Sequence, residues 1–274
     1  MTTPVETVID PGGNSARYWA EIWRYRELMY FLSWRDILVR YKQTMIGAAW
    51  AIIRPFMTMV VFSFVFGRLA KLPSEVPYPI LVYAGMLPWQ FFSSALMESS
   101  NSILENSRLL TKVYFPRLIV PVSSAIVSFV DFLFAFVIMV GMMGWYRFTP
   151  SWTLISLPFF LALAFAGALG AGLWFSALNV KYRDIRYVVP FLVQFGLFVS
   201  PVGFSSDIVP ESWRALYSLN PLVGVIDGFR WSILGGRTHL HFSSVVISFL
   251  AAALILFSGV HYFRTTERSF ADLI

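Results

Sequence analysis

Six apolar runs, roughly Met45–Phe66, Tyr78–Met97, Leu118–Met143, Trp152–Leu178, Tyr187–Phe204 and Phe242–Phe263, limit what this chain can become. Each approaches or exceeds the roughly 20 residues a helix needs to cross a bilayer. Their length and their lack of period-two alternation predict helices rather than barrel strands. Composition agrees, with 57% hydrophobic and only 13% charged residues, whereas a soluble domain carries about 25% charged. The expected fold is all-α and integral to the membrane, with six transmembrane helices over residues 43–274. A net charge of +6 could invite nucleic acid. The basic residues instead form short clusters between apolar runs, as topology signals do, and no nucleic-acid partner is expected. With no cysteine, disulfide and thiol chemistry are excluded. Glu6 and Asp10 open the chain and no apolar core follows at signal-peptide distance, so no cleaved leader is expected. Residues 1–17 are expected to be disordered.

Basic residues set the orientation. With the N-terminus in the cytoplasm, the segments on that side hold fourteen Lys and Arg and the opposite segments six. Cytoplasmic connections are the basic ones, so both termini are expected there.

Two elements do not span. Over residues 18–42 an amphipathic helix is expected along the cytoplasmic interface. From Tyr18 to Trp34 it puts Tyr18, Ile22, Tyr25, Met29 and Leu32 on one stripe, with Trp19, Trp23, Tyr30 and Trp34 roughly opposite. Trp and Tyr favour the headgroup level; simple anchoring and docking of a soluble partner both remain open. The second element is the long connection Ser205–His241. Pro210, Pro221 and the Gly235-Gly236 pair divide it into short helices, about Glu211–Leu219 and Leu222–Leu234. They predict a re-entrant hairpin over about 211–236, which protein or a water-filled cavity must cover. The alternative is a hairpin resting on the membrane surface. Asn220-Pro221 would make its turn, and Asp227 and Arg230, three apart, could pair on one face.

Chemistry is sparse. There is no Gly-rich loop ending in Gly-Lys-Ser/Thr and no nucleophile elbow. His239-x-His241 lacks a third metal ligand nearby, so no metal is expected. Asp131, in the middle of the third run, is a proton relay or a polar fixture between helices. As one isolated acid with no second ionisable group at that depth, it favours the fixture. Arg54 precedes Pro55, which bends the first span; Arg54 lines an entrance or only snorkels. Ala164, Ala168 and Gly172, four apart, allow close helix packing. The 27 Phe face lipid or line a conduit for sugar faces.

Four segments occur in order: RYRELMYFLSWRDILVRYKQTMIGAAW, KVYFPRLIVPVSS, LNVKYRDIRYVVPFLVQFGLFVSPVGF and LNPLVGVIDGFRWSILGG. Together, from about Arg24 to Gly236, they resemble the transmembrane permease of type-2 ABC exporters for polysaccharides and polyol phosphates. That group includes O-antigen, capsule and teichoic-acid exporters. Phe204-Ser205 departs from the Tyr-Pro more usual there. The resemblance implies that the 211–236 hairpin closes the external mouth, with Arg54, Asn220, Pro221, Asp227 and Arg230 as channel or gate residues. It also implies that Ser99–Thr111 is a coupling helix and Lys181–Arg186 a second cytoplasmic contact with a separate ATPase, which the interfacial arm helps to seat. Arg35, Asp36, Arg40, Arg108, Lys112, Arg183 and Asp184 are then the coupling residues.

Six helices packed 8–10 Å apart fill their own centre. A pore for a hydrated polymer therefore calls for a two-fold homodimer, with two ATPase copies holding ATP and Mg and none in this chain. The expected function is ATP-driven export of a lipid-linked polysaccharide across a bacterial inner membrane, amid membrane lipids. The alternatives are a related exporter of a drug or lipid, or a proton-coupled secondary transporter, whose paired acids and inverted repeats are not visible.

Overall fold

The computed structural model describes residues 15–42, 47–72, 74, 76–149, 151–267 and 270. All but the last three residues of the 1–17 stretch lie outside that range. Those three begin helix α1, Ser15–Arg24, which a turn at Tyr25 separates from α2, Arg26–Lys42. The expected single interface helix is thus two. Next come α3, Gly47–Phe62, running into a π-helical stretch Ser63–Leu69, then α4, Tyr78–Glu105, and a short α5, Ser107–Leu110. Helices α6, Ile119–Trp145, α7, Leu157–Lys181, and α8, Ile185–Val199, follow. The chain ends in α9, Glu211–Tyr217, α10, Pro221–Ile233, and α11, Phe242–Thr266.

Among the described residues, five elements are long and apolar enough to cross a membrane: Ile52–Leu69, Tyr78–Glu105, Ile119–Trp145, Trp152–Lys181 and Phe242–Thr266. The fifth expected span, Tyr187–Phe204, is the one that differs. Its helix stops at Val199 after 15 residues, about 22 Å at 1.5 Å per residue against a hydrocarbon core of about 30 Å. Pro201 is the cause, because the residue before a proline is pushed out of the α region. Ser200 accordingly has φ −85 and ψ 152.

Helix α4 is the most buried of the five and packs against α6 and α7; α11 covers the other side of α7. Two cores are stacked along these helices. One joins the first half of α4 to the second half of α6, the first half of α7 and α10. The other joins the second half of α4 to the first half of α6, the second half of α7 and the end of α11. Helices α3 and α8 stay at the margin with apolar side chains exposed, including Phe56, Val61, Phe191 and Phe195.

Small residues let α7 approach two neighbours at once. Ala164 and Ala168 are buried, and a Cβ on Gly172 would lie 2.6 Å from Ser99 Cβ of α4. On the α11 side, a Cβ on Gly259 would lie 2.2 Å from the Gly170 carbonyl oxygen. No flexible side chain can yield there, because the obstacle is backbone. Gly259→Leu should therefore destabilise the fold by about 1–3 kcal/mol, the usual cost of overpacking. The readout is a lowered thermal midpoint in detergent; an unchanged midpoint would mean that α7 and α11 do not cross this closely.

Candidate functional site

The hairpin begins at Asn220, whose Oδ1 accepts from the Leu222 amide at 3.0 Å while Pro221 occupies the first helical position. That is an N-cap followed by the residue with no amide to satisfy. Asn220 Nδ2 also donates to Ser200 Oγ at 2.9 Å, tying the turn to the end of α8. At the other end of α10, Gly235 and Gly236 take φ +66 and +78, a left-handed C-terminal bend that glycine adopts without strain. Between these ends, eleven of the thirteen residues of α10 are buried. The helix packs against α4, α7 and α11, with the Phe160 ring filling the space over Gly228. Helix α10 is therefore part of the core rather than a surface hairpin, whereas α9 exposes Trp213 and Leu216.

Arg230 is the central side chain of this site and is 2% exposed. Its guanidinium donates to three backbone carbonyls: Nε to Leu81 at 3.1 Å, Nη1 to Phe204 at 2.8 Å and Nη2 to Val202 at 2.8 Å. Two of these carbonyls belong to the non-helical stretch after α8, where the broken helix leaves them without intrahelical donors. The expected Asp227–Arg230 ion pair does not form, because the carbonyls take the guanidinium. Asp227 is buried on the same helix, and its Oδ2 has no hydrogen-bond partner. The Tyr217 hydroxyl is likewise buried without one. Gly85 of α4 completes the socket, since a Cβ there would lie 2.7 Å from Arg230 Nη2. Nearby, Asp207 accepts from Ser205 at 2.8 Å and lies 2.9 Å from His241 Nε2. Partial burial pushes its carboxyl up, but those two hydrogen bonds win and hold it below its ordinary value.

The expected coupling residues divide into two groups. Arg108, Lys112, Arg183 and Asp184 are exposed at the ends of α4–α5 and α7–α8. The segment 99–111 is not one helix: α4 continues to Glu105, and α5 restarts after Asn106. Asn179 Nδ2 joins the two regions by donating to the Ser100 carbonyl at 3.2 Å and to Asn101 at 3.1 Å. Arg35, Asp36 and Arg40 point instead into the bundle. Arg35 donates to Asp36 at 2.7 Å and to Asn106 Oδ1 at 2.8 Å. Arg40 donates to Asp131 Oδ2 at 2.6 Å and also binds Glu98, and the Tyr41 hydroxyl binds the other oxygen of Asp131. Asp131 is therefore not isolated. The N-terminal arm brings a cation to it, a contact between residues 91 positions apart. Arg54 lies exposed on α3 with its guanidinium 5.9 Å from the Trp50 ring centroid. Among the described residues, no group of three or more His, Cys, Asp or Glu could hold a metal ion.

Glu98, Tyr41 and Gly85 were not anticipated. Glu98 carried a signal, an acid placed immediately after an apolar run. Gly85, one of 17 glycines, carried none.

The same chain can be set beside known proteins. Residues 27–234 match the family described as ABC-2 type transporter. The O-antigen export system permease protein RfbA of Klebsiella pneumoniae is 25% identical over 250 residues, covering 90% of this chain and 95% of that protein. Its namesake from Myxococcus xanthus is 26% identical over 258 residues, covering 93% and 98%. The polysialic acid transport protein KpsM of Escherichia coli is 22% identical over 241 residues, covering 86% and 92%.

Removing the Arg230 guanidinium strands three carbonyls in the core. At about 1–3 kcal/mol for each unsatisfied group, Arg230→Met should lower the thermal midpoint sharply, and Gly85→Ala should do so by displacing the same side chain. An Arg230→Met protein as stable as the parent would show that the carbonyls find other donors.

Proposed function

The chain belongs to the ABC-2 type transporter family, and we propose that it is the membrane permease of an ATP-driven exporter carrying a lipid-linked polysaccharide out of the cytoplasm. One observation carries this reading. The O-antigen and polysialic acid proteins align with it over 86–93% of its length, so the likeness is to whole transport subunits and not to a shared fragment. The chain is a multi-pass membrane protein, and ATP hydrolysis belongs to a separate subunit that binds ATP and Mg2+. In the proposed assembly two copies of this permease meet along exposed apolar helices such as α3 and α8, and two ATPase subunits dock on the cytoplasmic side. Both termini face the cytoplasm of a bacterial inner membrane.

The two helical pieces α9 and α10 close the external mouth in this reading. Since Arg230 locks α10 to α4 and to the stretch after α8, the mouth opens only when those elements separate. Export then needs a conformational change driven from the cytoplasmic side, which suits the exposed positions of Arg108 and Asp184.

Permease reconstituted with its ATPase should move lipid-linked glycan to the far leaflet only when ATP is hydrolysed. Transport driven by a proton gradient without ATP would defeat this reading. A photo-crosslinker at Arg108 should capture the ATPase in the same preparation, and failure to capture it in the assembled complex would remove Arg108 from the coupling surface.

Topology supplies a separate check. The α8 helix is short, but residues 200–204 extend its reach, and we take the chain to cross the membrane there for a sixth time. A cysteine at His239 should then be labelled from outside in intact cells, and one at Thr265 only after permeabilisation. Protection of position 239 would leave five crossings.

A further inference from the structure

Helix α2 lies in register with two helices at once. Ser33 Oγ donates to the Ser123 carbonyl at 3.1 Å, and Arg40 to Asp131 at 2.6 Å, so α2 advances along α6 in the same direction. Arg35 meets Asn106 and Arg40 meets Glu98, so it runs opposite to α4. Both registers carry Arg40 away from the cytoplasmic ends of those helices. Asp131 is twelve residues into α6 and Glu98 eight residues before Asn106, which places Arg40 about 12–18 Å in along the helix axes.

The two sides of α2 are reversed relative to a helix lying on a membrane surface. Arg35, Asp36 and Arg40 face the bundle, where they line a cavity of about 340 Å³ together with Glu98, Glu105 and Ser124. The opposite side exposes Tyr30, Phe31, Trp34 and Leu38. An unpaired guanidinium or carboxylate at such depth is costly, and lifting α2 to the surface would take Arg40 away from both Glu98 and Asp131. Inserted α2 pairs Arg40 with both Glu98 and Asp131, and from Tyr30 to Leu38 its outward side is apolar and aromatic, the exposed Arg26, Glu27 and Lys42 lying at its two ends.

We propose that α2 is an arm of the transport domain inserted in the cytoplasmic leaflet, its apolar face against lipid acyl chains. Arg40 is the positioning residue that holds it there. Motion of the break at Asn106 then passes through Arg35 into α2 and through Arg40 into the middle of α6. The transport part of this inference rests on the exporter reading; the depth part does not.

The chain has no cysteine, so a fluorophore on a single cysteine at Leu38 reports depth cleanly. In full-length protein in phosphatidylethanolamine–phosphatidylglycerol vesicles, nitroxides on the acyl chain should quench it more than nitroxides on the headgroup. Arg40→Gln should reverse that order and Arg40→Lys should preserve it. Glu98→Gln, which leaves the Asp131 contact intact, should give an intermediate ratio and guards against misfolding of the first variant. With the ATPase present, glycan exported per ATP hydrolysed should fall about tenfold in Arg40→Gln, within the coupling range of packed networks, and recover in Arg40→Lys. Dominant headgroup quenching in the parent, or covering of Leu38 by a second copy so that neither nitroxide reaches it, overturns the insertion. An Arg40→Gln ratio equal to the parent's overturns the positioning role. Absence of any ATP-driven export by the parent would defeat the exporter reading and leave the depth result standing.

Discussion

Backbone that leaves a helix within apolar surroundings must find donors for its carbonyls, and here one guanidinium meets that demand. Pro201 ends α8 early, and the carbonyls of Val202 and Phe204 are left without intrahelical partners. Arg230 reaches them from α10 and holds Leu81 of α4 as well. Several other features serve this one contact. Gly85 leaves room for the guanidinium, and Asn220 caps α10 while binding Ser200. Gly228 admits the Phe160 ring, so that α10 can enter the core at all. Irregular backbone at membrane depth is tolerated only under such cover.

Much of this could be read from residues alone. Long apolar runs gave four spans close to the expected limits, because their length and hydropathy are local properties. Asn220-Pro221 and Gly235-Gly236 marked the ends of α10 correctly, because caps and left-handed bends depend on a few adjacent residues. The run Tyr187–Phe204 reads as one span because a hydropathy window counts apolar residues and passes over Pro201, where the helix breaks. Arg230 was singled out, but its partners were not. Pairing with Asp227 was the local solution, and carbonyls at positions 81, 202 and 204 are invisible to helical spacing. The partners of Arg40 are equally distant: nothing near it in sequence points to Asp131 or Glu98.

The two arginine sites differ in what they can do. Arg230 is held by carbonyl dipoles, which offer no alternative charge state and fix three backbone points in one geometry. Arg40 is shared between carboxylates on two separate helices, so a relative shift of α4 and α6 can weaken one contact while the other persists. The first arrangement suits a lock that is either seated or broken. The second suits a joint that follows a moving helix.

Both sites draw on α4, with Gly85 and Glu98 about 20 Å apart along its axis. Between them lies Pro88, which removes one amide from the helical ladder and lets the helix bend. Helix α4 is also the most buried of the spans, so its two halves cannot shift without displacing α6 and α7. A change in bend at Pro88 would alter the angle at which Gly85 presents its socket to Arg230 while Glu98 stays clasped by the arm. The hairpin and the N-terminal arm are thereby linked by one continuous helix that contains Pro88, with no loop interrupting the connection.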